Sequence, residues 1–257
     1  MNFFEARDRF RQELAEGVAL FADEADWNDK WRYADQHIYP HASSPEKHTL
    51  EPILGVGVSL QSLVDQRRLN GQSTHVLELF GSAHFLADPL AADSLTGVRL
   101  KDTVYENDPE RHRTRLPHHE VVLGDIYDED TLRKISDNLT RRNIPAIDIT
   151  VCAPFLGWGM WEGDYPLNVY LDTYYPLLEW AYRKSNLNKG TILTEFPLGK
   201  SETRTVRDWE ARMNDAGIPT KVVDGYRGYP VASIVRLPKS PSTVVPLQGR
   251  CAPPRVA

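Results

Sequence analysis

Apolar residues Phe3, Phe10, Leu14, Val18 and Phe21 recur at intervals of seven, four, four and three with charged residues between them. That spacing predicts an amphipathic helix that must dock either on the core or on a second subunit. Residues 28–52 are aromatic, broken by proline and carry His37 and His41, which predicts an ordered but irregular segment. From residue 53 to Asn70 the apolar pattern is helical again and stops at Gly71.

Beyond Gly71 strands and helices alternate. Short apolar runs predict strands at His75–Phe80, Gly97–Asp102, His119–Asp125, Ala146–Phe155 and Gly190–Pro197, with the β-branched fourth run at the centre. Helical spacing follows in residues 81–88, 128–143, 167–187 and 201–217, the third with one internal proline. Residues 220–226 and 231–237 form a closing, hairpin-like pair. Such alternation implies an α/β fold of Rossmann-like type. The expected sheet is mostly parallel and seven-stranded, with an antiparallel edge pair and helices on both faces. The expected organisation is an N-terminal helical extension over 1–71, an α/β domain over 72–238 and a proline-rich tail over 239–257 that is extended or disordered.

Composition narrows the picture. The chain has 257 residues and a formal charge of −6, with acids and bases interspersed. No extended cationic face therefore advertises nucleic acid as a partner. No apolar run reaches the roughly 20 residues of a membrane helix, and the acid-rich first 25 residues do not suit an export peptide, so a cytoplasmic protein is expected. Cys152 and Cys251 are the two cysteines, one in a strand pattern and one in the tail, and both read as thiols. No Gly-x-Ser-x-Gly elbow occurs, and the one Gly-Lys-Ser run, Gly199–Ser201, has Thr194 where a phosphate loop requires its first glycine. Pro40 interrupts any helical pairing of His37 with His41, and no metal site is expected.

Acids close the first three core strands: Glu78, Asp102 and Asp125, at intervals of 24 and 23 residues. Ligands of open α/β sheets sit at the carboxyl ends of the strands, where acids have a chemical use. Six strands separated by helices, a last strand placed to insert beside the sixth, and acids at those intervals resemble the class I S-adenosylmethionine-dependent methyltransferase family over residues 72–237. The resemblance implies S-adenosylmethionine as cofactor. It matches "ELFGSAH" to the family's glycine turn, with Glu78, Phe80, Gly81 and Ser82 beside the methionine part and ribose. It sets Asp102 on the ribose hydroxyls and Asp125 with Ile126 on adenine. "CAPF" falls on the loop under the transferred methyl, with Cys152 and Pro154 toward the cofactor. The turn departs from the family pattern in retaining the single glycine Gly81, followed by Ser82, Ala83 and His84.

Phe155, Trp158 and Trp161 either pack back on the core or wall an acceptor pocket, where a π face favours the sulfonium charge. Candidates for a base are Asp148, Glu162, Asp164 and His84. The expected activity is methyl transfer to a small molecule or protein group. The alternatives are a cofactor-free module of the same fold used for binding or assembly, with the first helix and the proline-rich tail as contacts and the helix as a homo-oligomer contact, and a nicotinamide-binding protein. The last is disfavoured by the lack of Gly-x-Gly-x-x-Gly.

Overall fold

The computed structural model describes residues 51–55, 58–79, 91–99, 118–124, 126, 128–152, 167–196, 203–225 and 230–247. The helix expected over residues 3–21 lies outside them. Seven strands form one sheet: β1 (His75–Glu78), β2 (Ser94–Arg99), β3 (His119–Leu123), β4 (Ile149–Cys152), β5 (Gly190–Glu195), β6 (Thr220–Asp224) and β7 (Pro230–Arg236). Their order is β3-β2-β1-β4-β5-β7-β6. β1 to β5 are mutually parallel, whereas β7 runs antiparallel to both neighbours and separates β5 from β6. The expected mostly parallel sheet with an antiparallel edge pair is thus present.

Helices α1 (Glu51–Leu54), α2 (Leu60–Leu69), α3 (Glu129–Arg141), α4 (Leu167–Lys184) and α5 (Thr203–Asp215) cover it. The chain moves in one direction across the sheet from β3 to β4 to β5, so right-handed crossovers deliver α3 and α4 to the same face. Ile135 and Leu139 of α3, Leu177, Leu178 and Ala181 of α4, and Val206, Trp209 and Met213 of α5 share one core there. On the other face Ile53, Leu60 and Val64 of α1 and α2 pack on Val76, Leu95, Ile149, Val151 and Leu193. Full burial of Leu60 and Val64 contributes about 1.5–3 kcal/mol each.

The helical stretch expected from residue 53 to Asn70 is divided. Gly55 takes φ +107°, which breaks the helix. Ser59 then caps α2, its Oγ accepting from the Ser62 N–H at 3.0 Å while the Ser59 N–H donates to Ser62 Oγ at 2.9 Å. β2 starts at Ser94, three residues before the expected Gly97. Asp93 holds this start, accepting from the Thr74 N–H (2.8 Å) and Oγ1 (2.9 Å).

The tail through Leu247 has neither helix nor strand, but its side chains complete the core. Val244 and Leu247 are buried with the α3–α5 cluster. Trp209 Nε1 donates to the Val245 carbonyl at 2.8 Å, and the Tyr175 hydroxyl to that of Val244 at 2.7 Å.

Candidate functional site

Strand order reverses between β1 and β4: the chain leaves β1 toward β2 and β3, then returns across β1 to β4. In open α/β sheets a ligand crevice forms at such a reversal, at the carboxyl ends of the strands. Glu78 ends β1 at that position, 6% exposed. Next to it the Leu79 N–H donates to the Val151 carbonyl at 3.0 Å, which fixes the ends of β1 and β4 together. Ile126 lies just past β3, buried in the α3-side core.

Cys152 ends β4, with Thr194 beside it in β5. The buried Tyr174 hydroxyl lies 3.1 Å from Cys152 Sγ, contacts Thr194 Oγ1 and donates to the carbonyls of Cys152 (3.1 Å) and Glu195 (3.0 Å). Burial pushes the thiol up to about 12. The Cys152 side chain is therefore a core group, held neutral. That corrects the expectation of a cofactor-facing side chain.

Asp148 requires a second correction. It precedes β4, at the amino end of the strand, across the sheet from the crevice. Its carboxylate is fully buried and takes Arg67 Nη2 at 2.7 Å, Asn186 Nδ2 at 2.8 Å and the His75 N–H at 2.9 Å. Arg67 also donates to the carbonyls of Ser73 (3.0 Å) and Lys189 (3.4 Å). This closed ion pair fastens α2 to the amino ends of β1, β4 and β5, at the edge away from the carboxyl ends where proton transfer to a ligand would be needed.

The structure adds an acid that the sequence reading passed over. Glu195 is the last residue of β5, at the same carboxyl edge. It alternates with Leu193, so its side chain shares the α1–α2 face with Glu78, which alternates with Val76. The Glu78–Val151 and Val151–Leu193 pairings put Glu195 two strands and two residues from Glu78, about 12 Å between α-carbons. Among the described residues no hydrogen bond or ion pair reaches its carboxylate, and burial raises it to about 7. An acid inside "TILTEFP" was the available signal.

Phe80, Gly81, Ser82, His84, Asp102, Asp125, Pro154, Phe155, Trp158, Trp161, Glu162 and Asp164 lie outside the described residues. Among the described residues no group of three His, Cys, Asp or Glu is set to hold a metal ion, and no helix is long and apolar enough to cross a membrane.

No family profile matches the chain, and no curated protein matches it. Solved structures do. A provisionally assigned S-adenosylmethionine-dependent methyltransferase from Streptococcus mutans is 17% identical, with a TM-score of 0.40 over 69% of this chain and 49% of that one. A provisionally assigned methyltransferase complexed with S-adenosylhomocysteine is 16% identical, with a TM-score of 0.41 over 68% and 49%. The N-methyltransferase NodS from Bradyrhizobium japonicum WM9 is 12% identical, with a TM-score of 0.37 over 69% and 94%. The chain spans about half the length of the first two. At these scores the likenesses add nothing to what the sheet itself establishes. Five parallel strands in the order β3-β2-β1-β4-β5, closed by an antiparallel β7 between β5 and β6, give this chain a Rossmann-like α/β fold.

Proposed function

We propose that the chain is an S-adenosylmethionine-dependent methyltransferase acting on a small molecule or protein group. The observation that carries this reading is the reversal of strand order between β1 and β4, with the buried Glu78 at its mouth. A carboxylate fits there, because the ligand's ribose hydroxyls and ammonium both donate hydrogen bonds. When bound, the cofactor supplies a methyl group activated by sulfonium charge. The chain's part is to hold and align. Glu78, Phe80, Gly81 and Ser82 take the methionine part and ribose, Asp102 the ribose hydroxyls, and Asp125 and Ile126 the adenine. Pro154 and the backbone at Cys152 border the reacting end. Phe155, Trp158 and Trp161 wall the acceptor and exclude water. Alignment of two reacting groups is worth about 7 to 11 kcal/mol, so strong acid–base machinery is optional. Where a base is needed, Glu162, Asp164 and His84 are the candidates.

Calorimetric titration of the purified, ligand-stripped protein with S-adenosylmethionine and S-adenosylhomocysteine tests the reading. Saturable binding of both is expected. Absence of binding at millimolar ligand would overturn it, and would favour the cofactor-free binding or assembly module, for which the single-glycine turn "FGSAH" already speaks.

A further inference from the structure

Glu195 is an acid in an odd position. It ends a strand whose other five residues are glycine, threonine or aliphatic, and Phe196 behind it is fully buried. Its main chain is fixed on both sides: the carbonyl accepts from the Tyr174 hydroxyl at 3.0 Å, and β7 pairs Val231 opposite it. The Phe196 N–H donates to the Pro230 carbonyl at 2.9 Å, so the carboxyl end of β5 cannot swing. Alternation then directs the side chain to the α1–α2 face at the crevice edge, about 12 Å from Glu78.

Among the described residues no charged group acts on its carboxyl, and burial alone raises it. β4 brings Cys152 and α4 brings Tyr174, both on the opposite face. β7 brings no ionisable side chain between Pro230 and Ser233. Among the described residues Glu195 is thus a rigidly mounted, half-buried carboxylate without a counter-ion, beside the strand end that borders the crevice. A carboxylate drawn from water in this way gains most from a cation.

We propose that Glu195 is the counter-charge for an onium group of the bound ligands, either the sulfonium of the methyl donor or the ammonium of an amine acceptor. This rests on the methyltransferase reading. It gives the site a preference for ligands that carry positive charge. Because burial holds the free carboxyl near 7, the affinity for the cation falls as pH drops through that value and the carboxyl becomes neutral. A bound cation in turn keeps Glu195 ionised to lower pH.

The test compares wild type with Glu195→Gln, which keeps the shape and removes the charge. In the first arm S-adenosylmethionine and S-adenosylhomocysteine are titrated at pH 6 and pH 8. If the sulfonium is the partner, the substitution weakens S-adenosylmethionine about 10- to 100-fold at pH 8 and leaves S-adenosylhomocysteine unchanged. In the second arm n-butylammonium and n-butanol are titrated into the protein saturated with S-adenosylhomocysteine. If an amine is the partner, n-butylammonium binds wild type at pH 8, weakens by up to about tenfold at pH 6, loses that binding in the variant, and n-butanol shows neither effect. Indifference to the substitution in both arms, with S-adenosylhomocysteine still bound, overturns this inference alone. Failure of wild type to bind either nucleoside overturns the methyltransferase reading and this inference with it.

Discussion

Replacing Arg67 with Met isolates the largest single electrostatic commitment among the described residues. Arg67 and Asp148 side chains are 9% and 0% exposed and 2.7 Å apart. The substitution keeps the aliphatic stem but removes three donated hydrogen bonds, and it leaves Asp148 buried with two neutral donors, the His75 N–H and Asn186 Nδ2. Stranding one partner of a buried pair costs about 3–5 kcal/mol, a large share of the roughly 5–15 kcal/mol that stabilises a domain. At about 2–4 °C per kcal/mol for a chain of this size, the melting temperature should fall by about 6–20 °C. Asp148→Asn should cost a similar amount by stranding the guanidinium. The double variant should lose less than the sum, because the second change removes a charge already stranded. Urea unfolding followed by circular dichroism measures all three. A loss under about 1 kcal/mol for Arg67→Met, or additivity in the double variant, would refute the account. Ligand affinity should be unchanged in variants that fold, since the pair lies at the edge away from the crevice.

The raised carboxyl of Glu195 has a stability consequence in the ligand-free protein. Its folded value of about 7 exceeds the unfolded one, so between about 4.5 and 7 the native state holds a proton that the unfolded state has lost, and stability falls as pH rises through that window. Glu195→Gln should remove this slope and be the more stable protein at pH 8; equal pH profiles of urea midpoint would count against it. Cys152, with its thiol pushed up to about 12, should resist a disulfide reagent in a Cys251→Ser background until the protein unfolds, and prompt labelling would contradict the buried placement. Gly124→Ala should destabilise by about 1–3 kcal/mol, because φ is +153° and a Cβ there would meet Thr131 Oγ1 at 2.2 Å; an unchanged melting temperature would show that the turn relaxes. Val244→Ala should cost about 2 kcal/mol by opening the core under the tail, and a neutral result in thermal unfolding would detach the tail from the core.

The strands were legible because apolar runs of four to seven residues bounded by Gly, Pro and acids have few other readings. The antiparallel closing pair followed from the short 225–229 connection. Position along a strand was harder. Asp148 and Glu195 are both acids in apolar runs, yet one lies at the amino end and the other at the carboxyl end, and a period of two does not distinguish ends. Asp148 is decided by Arg67 and Asn186, 81 and 38 residues away, and no local pattern announces such partners. β2 begins early for a similar reason: Asp93 and Ser94 look like a turn, until Thr74 supplies the cap from 19 residues upstream. The pattern over residues 60–69 showed a helix, but its membership of the sheet's core depends on Val76, Leu95 and Ile149. The tail lacks any period, and its burial rests on partners in α4 and α5.

The insertion of β7 between β5 and β6 also governs the order in which the molecule can be built. As the chain is synthesised, β6 emerges before the strand that joins it to the sheet, and among the described residues it has no other hydrogen-bonded strand. At about 5–20 residues per second, β5 and β6 wait for residues 230–236 with an open backbone edge. That interval exposes a sheet edge and the apolar face of α5 to other nascent chains. A chain truncated after residue 225 should thus aggregate more readily than one truncated after residue 247.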